Sequence, residues 1–294
     1  MSTAFWKKGN EKIDARGGMC YDTASIFWGG RKMIRLIATD LDGTLLTSRG
    51  TLPEGTFETV EALTARGILF TACSGRQLGN LRRLFAPVAE QMAFICENGA
   101  LCVHGGEVIG TTAIAPDIAQ EVIADIERMG MNLLISGRHT TYMLDRNRRY
   151  TDDIVYRLRN TVTIIDSPQD VTEPMLKISG QIDEGLSQIA PELLRKWAGR
   201  LTATVSGPDW FDFTAANKGT GMRMLMARTG IQKQEAAAFG DSFNDESMLE
   251  SVGYPFLMRH ADPALRRPGI RLCAQVLPVL RQIARDGSLE SLSE

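Results

Sequence analysis

The chain has 294 residues, of which 44% are hydrophobic and 23% charged, with a formal net charge of -2 and a pI near 6.0. This composition is typical of a globular protein of one or two domains, and it offers no basic surface for nucleic acid. No run approaches about 18 apolar residues, the length that indicates a membrane span, and five cysteines without a C-x-x-C pair favour reduced thiols in the cytoplasm.

Residues 1–32 differ in character from the rest of the chain. They mix charges, glycines and isolated aromatics without a usable period. We expect the functional part to begin at Met33, and the leader to be disordered or an artefact of start-codon choice. The alternative is a partner-binding arm that carries Trp6 and Trp28.

From Met33 onward, strand and helix signals alternate, which indicates a mostly parallel sheet. The predicted elements are strand 34–39, helix 53–66, strand 68–72, a helix to about residue 85, strand 94–96 and a hairpin that turns at 105–106.

The middle segment, 112–206, changes to short strands grouped with amphipathic helices. Its predicted elements are helix 116–129, strands 131–135 and 140–144, a weaker helix at 151–160, strand 175–180, helix 183–198 and strand 201–205. This grouping predicts a small α+β domain inserted into the first one, with 206–208 as the return hinge.

The last segment returns to the first pattern. It contains helix 220–229, strand 236–239 and two strand–helix units near 255–267 and 270–285, followed by a tail at 287–294. The predicted fold is therefore α/β, a Rossmann-like, doubly wound, mostly parallel sheet built from 33–111 and 207–286, with 112–206 as an inserted α+β cap.

The strand at 34–39 ends in two carboxylates, Asp40 and Asp42, followed at once by Gly43. At the carboxyl end of a parallel strand such residues face the ligand crevice, and a carboxylate pair suits a hard cation and a phosphate. Asp40 is placed to act as a nucleophile that forms an aspartyl-phosphate, and Asp42 to protonate the leaving alkoxide and deprotonate the attacking water. The alternative is a purely structural role for the two aspartates, as a turn with a helix cap.

Further polar residues follow strands or open helices, namely Ser74, Lys218, Asp241, Asn244 and Asp245. We expect Ser74 to open the next helix and hold an anion there, together with the backbone amide of Leu41. Lys218 supplies a fixed positive charge to phosphate and to the nucleophile, and Asp241 completes an oxygen-rich site for Mg2+. Asn244 is expected to orient phosphate, whereas Asp245 is either a helix-start acid or an acid that orients the metal ligands from behind.

Four ordered motifs closely resemble the haloacid dehalogenase-like phosphatase superfamily, and Glu97-Asn98-Gly99-Ala100 with the large insertion resembles its Cof-type branch. The motifs are Asp40-Leu41-Asp42-Gly43-Thr44-Leu45, Ser74-Gly75-Arg76, Asn217-Lys218-Gly219 and Gly240-Asp241-Ser242-Phe243-Asn244-Asp245. The resemblance covers about residues 33–285 and implies Mg2+-dependent hydrolysis of small phosphate esters, often sugar phosphates, by a Rossmann-like core with an α+β cap.

The resemblance also implies roles for single residues. Asp40 would be the nucleophile and Asp42 the acid/base. Mg2+ would be held by the Asp40 side chain, the Asp42 backbone carbonyl and Asp241. The phosphate contacts would be Leu41 (backbone), Ser74, Gly75, Lys218 and Asn244.

The chain departs from the family pattern after the fourth motif, where Arg259 and His260 stand in place of small or amide residues, and again in 270–280. These departures leave the catalytic set intact and change the rim of the site. Candidate substrate contacts in the cap are Arg138, His139, Tyr142, Arg146 and Lys177.

The leading hypothesis is a cytoplasmic Mg2+-dependent phosphatase of small phosphorylated metabolites, without an obligate protein partner. One alternative is a phosphomutase or phosphotransferase on the same scaffold. The other is a non-catalytic regulator that binds a phosphate ligand.

Overall fold

The computed structural model describes residues 12–13, 19–20, 33–287 and 289, in two compact units, Met1–Lys32 and Met33–Glu294. In the first unit, Lys12–Ile13 and Met19–Cys20 pair as a short antiparallel ladder. The prediction that residues 1–32 are disordered or artefactual otherwise falls outside the described residues, as does most of the predicted tail. No helix of the described ranges is both long and apolar enough to cross a membrane.

The second unit alternates strands and helices along most of its length. Its strands are β1 (Leu36–Thr39), β2 (Leu69–Cys73), β3 (Ala93–Cys96), β4 (Leu101–His104), β5 (Glu107–Thr111), β6 (Asn132–Ser136), β7 (Thr141–Leu144), β8 (Val162–Ile165), β9 (Lys177–Gln181), β10 (Thr202–Val205), β11 (Trp210–Thr214), β12 (Ala236–Gly240), β13 (Tyr254–Met258) and β14 (Arg271–Cys273). Its helices are α1 (Thr56–Ala65), α2 (Leu78–Leu84), α3 (Pro116–Arg128), α4 (Arg148–Asp152), α5 (Leu186–Trp197), α6 (Lys218–Thr229), α7 (Glu246–Glu250) and α8 (Val276–Asp286).

The larger sheet has eight strands in the order β14-β13-β12-β1-β2-β3-β4-β5. The strands from β14 to β3 run parallel, and β4 and β5 add an antiparallel edge. After β1 the chain builds outward through β2 and β3, and later through β12 and β13 on the other side. The strand order thus reverses between β1 and β12, which is where α/β sheets bind ligands.

Helices cover both faces of this sheet, because its strands are apolar on both sides. On one face Ile37, Phe70 and Phe239 pack with α1 and α8, through residues such as Leu63 and Leu280. On the other face the alternate strand residues pack with α6 and α7; this cluster includes Leu36, Ala38, Ala238, Met222 and Met248. The doubly wound α/β core expected from the sequence is confirmed.

The second sheet has six strands in the order β8-β7-β6-β9-β11-β10, mostly antiparallel, with β7 and β8 parallel. Helices α3 and α5 pack on one of its faces around Trp197, Phe211 and Phe213. Because β11 pairs with both β9 and β10, the predicted hinge at 206–208 is the hairpin turn between β10 and β11. The chain leaves this sheet at 215–217, and not at 206–208 as predicted.

One predicted helix is much shorter in the structure, and one strand was not predicted. The unit near 255–267 has its strand, β13, but the expected helix is only the short turn Pro263–Leu265, since Pro268 and Gly269 follow at once. Strand β8, which the sequence did not predict, is a sheet edge in which two adjacent residues, Thr163 and Ile164, are exposed, so it lacks the alternation that marks a half-buried strand.

Candidate active site

Asp40 lies at the carboxyl end of β1, beside the carboxyl end of β12. Its N–H donates to the Phe239 carbonyl at 2.9 Å, so the ladder between the two strands continues to this residue. The chain then makes a wide turn over Leu41–Leu45, in which Gly43 has a φ of 84°. A Cβ on Gly43 would lie 2.2 Å from Asp241 Oδ2. Glycine therefore lets the Asp40 turn approach the Asp241 loop closely.

Lys218 is the first residue of α6 and is almost fully buried. Asn217 caps this helix, its side chain accepting from the Thr220 N–H at 2.9 Å, and this fixes where Lys218 projects. The Lys218 Nζ donates to Asp40 Oδ1 and to Asp245 Oδ1, each at 2.5 Å. Burial alone would lower the pKa of Lys218, but the charges of Asp245 and Asp40 raise that pKa above its usual value. The Lys218 side chain is therefore protonated and carries a positive charge.

The loop after β12 is organised around Asp245, which is fully buried. Its Oδ2 accepts from the N–H groups of Asp241 and Ser242 at 3.0 Å each, while its Oδ1 faces Lys218. Asp245 thus stands at the start of the helical turn and holds Lys218 in place. The carboxylate of Asp241 accepts from the Thr44 hydroxyl at 3.3 Å.

Three carboxylates meet at this point. Oxygens of Asp40, Asp241 and Asp245 all lie within 4.8 Å of one another, and the Lys218 ammonium lies against two of these three carboxyl groups. Burial raises the pKa of Asp40 to about 7, against the opposing effect of Lys218, and burial also raises the pKa of Asp241. Oxygen donors with an excess of buried negative charge fit a hard divalent cation.

The side chain of Asp42 does not belong to this acidic group. It forms a forked ion pair with Arg76, in which Nε lies 3.0 Å from Oδ2 and Nη2 lies 2.5 Å from Oδ1. Of the three residues predicted to hold the metal, two therefore bring their carboxylates together. Asp42 is left with the backbone carbonyl role that the family resemblance implies.

The buried charge of Asp40 leads to a prediction about stability. When folding raises the pKa of an Asp, the protein becomes less stable as the pH rises from about 4 to 7, because the unfolded chain releases the proton more easily. In protein freed of divalent ions, Asp40→Asn should therefore raise the free energy of unfolding at pH 8 by on the order of 1–3 kcal/mol. Denaturant unfolding at pH 8 and pH 5 measures this, and the gain should shrink at pH 5. Asp42→Asn, at an exposed ion pair, is the control and should change little.

Of the predicted phosphate-binding residues, Ser74, Gly75 and Asn244 line one cavity of about 1090 Å³, together with Asp40 and Asp42. Leu41 is buried behind its turn. The Asn244 side chain accepts from the Ser242 hydroxyl at 2.6 Å.

Ser74 does not open a helix, so that part of the prediction is wrong. Its hydroxyl accepts from the Arg76 N–H at 3.3 Å, and α2 begins only at Leu78, after Gln77. The Ser74 N–H donates to the Ile95 carbonyl at 2.9 Å, so the ladder between β2 and β3 continues to this residue. Ser74 therefore holds a loop, and helix-dipole stabilisation of an anion does not apply to it.

The second sheet closes the other side of the cavity. Among the candidate cap contacts, Lys177 lines the cavity. The side chains of His139 and Tyr142 and the Arg138 backbone N–H contact Glu173, and Arg146 pairs with Glu127. His260, one of the departures from the family pattern, has its Nε2 3.6 Å from Asp241 Oδ2.

Sequence reasoning missed Glu97, Asn98 and Asp212, which also line the cavity. A signal was present for each, because Glu97 and Asn98 follow an apolar strand and Asp212 interrupts one. Gly99 completes that loop with a φ of 97°, and a Cβ there would lie 1.9 Å from the Asn217 carbonyl oxygen. The loop can therefore lie directly against the start of α6.

The profile of the haloacid dehalogenase-like hydrolase family matches residues 37–267. Among curated proteins, the 5-amino-6-(5-phospho-D-ribitylamino)uracil phosphatase YbjI of Escherichia coli (strain K12) is 26% identical over 237 residues, which cover 79% of this chain and 88% of YbjI. The HMP-PP phosphatase of Enterobacter sp. (strain 638) is 29% identical over 244 residues, which cover 79% of this chain and 87% of that phosphatase.

A solved haloacid dehalogenase-like hydrolase from B. subtilis superimposes with a TM-score of 0.70 at 23% identity. The match covers 81% of this chain and 95% of that one. The likeness extends over both sheets of the fold described above.

Proposed function

The chain belongs to the haloacid dehalogenase-like hydrolase family and is one of its phosphatases, and from that premise we propose that it hydrolyses small phosphate monoesters with Mg2+ through an aspartyl-phosphate on Asp40. The observation that carries this proposal is the buried Lys218 held between Asp40 and Asp245, beside Asp241. Binding a dianionic phosphate next to a carboxylate nucleophile requires positive charge at that point, and a fixed ammonium supplies part of it.

In the first step, a carboxylate oxygen of Asp40 attacks phosphorus and the bond from phosphorus to the ester oxygen breaks. Asp42 gives a proton to the departing alkoxide, so that an alcohol leaves. In the second step, a water attacks the phosphorus of the aspartyl-phosphate while Asp42 takes its proton. The bond to Asp40 then breaks and orthophosphate is released.

The cation would be held by the carboxylates of Asp40 and Asp241 and by the Asp42 backbone carbonyl. When bound, it supplies charge neutralisation that lets two anions approach each other. Asp245 orients this group through the Asp241 N–H and through Lys218, and Thr44 holds one Asp241 oxygen. On the phosphate, we assign contacts to the Leu41 and Gly75 backbone, Ser74, Lys218 and Asn244.

We propose that residues 112–214 form a cap domain over a core built from 33–111 and 215–286. The pairing of β11 within the second sheet supports this boundary over the one at 206. The cavity lies between residues of both sheets, which favours substrate selection by the second sheet and exclusion of water during the reaction. A small phosphorylated metabolite, of the kind named for the curated relatives, fits a cavity of about 1090 Å³.

Removing divalent ions should abolish the activity. We expect protein treated with a chelator to hydrolyse 4-nitrophenyl phosphate at least about 100-fold more slowly, and added Mg2+ to restore the rate. Asp241→Asn should raise the Mg2+ concentration that gives half of the maximal rate, whereas the exposed Asp117→Asn should not. Full activity in the chelator would contradict the metal assignment.

Product analysis separates this function from its two alternatives. A phosphatase releases inorganic phosphate from a hexose phosphate, whereas a phosphomutase returns an isomeric hexose phosphate. A non-catalytic regulator would bind phosphate esters in the presence of Mg2+ and release none. Screening a panel of phosphorylated sugars, nucleotides and cofactors then identifies the substrate class.

A further inference from the structure

Lys177 begins β9 in the second sheet, but its ammonium lies among loops of the larger sheet. The Nζ is 2.9 Å from Glu97 Oε2 and donates to the Gly75 carbonyl at 2.7 Å. A third neighbour, Asp212 Oδ2, comes from β11 of its own sheet at 3.7 Å. The side chain is about nine-tenths buried. One charged group therefore joins the second sheet to two loops at the carboxyl edge of the first.

These two loops are also joined to each other. The Glu97 N–H donates to the Arg76 carbonyl at 3.3 Å, and the Asn98 N–H donates to the Ser74 carbonyl at 3.1 Å. Glu97 and Asn98 have φ values of 49° and 55°, a region that asparagine adopts readily but glutamate only rarely. The shape of segment 74–76 thus depends on a loop with an unfavourable backbone.

Residues of the second sheet hold the loop of Glu97 and Asn98 in this conformation. Asp212 Oδ2 accepts from Asn98 Nδ2 at 3.1 Å, and Ser179 fixes the other Asp212 oxygen at 2.6 Å. Burial alone would lower the pKa of Lys177, but the charges of Asp212 and Glu97 raise it above its usual value. The Lys177 ammonium thus donates one hydrogen bond, to Gly75, and lies in ion-pair distance of Glu97 and Asp212. Lys177 is therefore occupied by the protein and is poorly placed to bind substrate phosphate itself.

We propose that Lys177 is a positioning residue, which holds segment 74–76 in its phosphate-binding shape by joining Gly75 and Glu97 to the second sheet. The inference rests on the proposed function only in assigning Ser74 and Gly75 to phosphate. It makes phosphate affinity depend on the docking of the second sheet, although no residue of that sheet is required to contact the phosphate.

The test compares Lys177→Met with Lys196→Met. Lys196 is the matched control, because its ammonium pairs with Asp125 at 2.6 Å and both residues belong to helices packed on the second sheet, α5 and α3. With 4-nitrophenyl phosphate and Mg2+, Lys177→Met should raise KM and the inhibition constant of orthophosphate about 10-fold or more, with kcat within about 3-fold of the wild type. Lys196→Met should leave all three values near those of the wild type.

Hydrogen exchange gives a second readout that needs neither substrate nor metal. Amides at 74–77 should exchange faster in Lys177→Met than in Lys196→Met, while those of β2 should not change. Lys177→Arg, which restores the positive charge, should recover part of the phosphate affinity. Should Lys177→Met fail to fold because two carboxylates lose their cation, Lys177→Met/Glu97→Gln keeps the loop contact broken with less unpaired charge, and the same changes are expected.

The outcomes separate the two proposals. Unchanged KM and orthophosphate inhibition in Lys177→Met, or changes no larger than those of Lys196→Met, overturn the positioning role. A wild-type protein that releases no phosphate overturns the proposed function instead. In that case the exchange difference at 74–77 still decides whether Lys177 holds the segment.

Discussion

Replacing Asp40 with Asn is expected to lower kcat for phosphate ester hydrolysis by about 10⁴- to 10⁶-fold, the loss seen when a covalent nucleophile is removed. The amide keeps the size of the side chain, and Lys218 retains its contact with Asp245. The site should therefore stay folded while the group that bonds to phosphorus is lost. Release of phosphate from 4-nitrophenyl phosphate with Mg2+ measures the effect.

A direct readout of the intermediate accompanies this variant. Wild-type protein quenched in acid after mixing with a ³²P-labelled ester should carry label on Asp40, and Asp40→Asn should carry none. Asp117→Asn, which changes an exposed aspartate in α3, should resemble the wild type in both assays. Near-normal hydrolysis by Asp40→Asn would remove the nucleophile assignment.

The larger sheet was predictable because its strands are continuous apolar runs that end in polar residues. Buried parallel strands leave that pattern, and the crossing helices carry their own period. The same reasoning places Asp40 and Asp241 together, since β1 and β12 are neighbours on either side of the switch point. The same reasoning could not predict where the second sheet ends along the chain. Ser206-Gly207-Pro208 has the composition of a hinge and of a hairpin turn alike.

The contacts across the two sheets were beyond sequence reasoning. Lys177 donates to Gly75, 102 positions earlier, and this pairing depends on how one sheet docks on the loops of the other. Ser74 illustrates the same limit on a smaller scale. A serine before a helical pattern is typical of an N-cap, but Ser74 still belongs to the ladder between β2 and β3, and α2 begins only at Leu78.

Asp42 provides the second large effect, and its size should depend on the leaving group. For an alkyl phosphate, Asp42→Asn should lower kcat by about 10²- to 10⁴-fold, because the alkoxide must be protonated as it leaves. 4-Nitrophenolate leaves without a proton, so formation of the aspartyl-phosphate from 4-nitrophenyl phosphate should be much less affected. Comparing single-turnover rates with both esters measures this difference.

The second step keeps its need for Asp42 with either ester, since the attacking water must still lose a proton. Asp42→Asn should therefore give a burst of close to one 4-nitrophenolate per protein, followed by slow turnover, and labelled Asp40 should accumulate. The forked pair with Arg76 must open before Asp42 can carry a proton, which is consistent with its exposed position at the cavity. Equal losses with both esters, and no label retained on Asp40, would assign the proton transfers to another group.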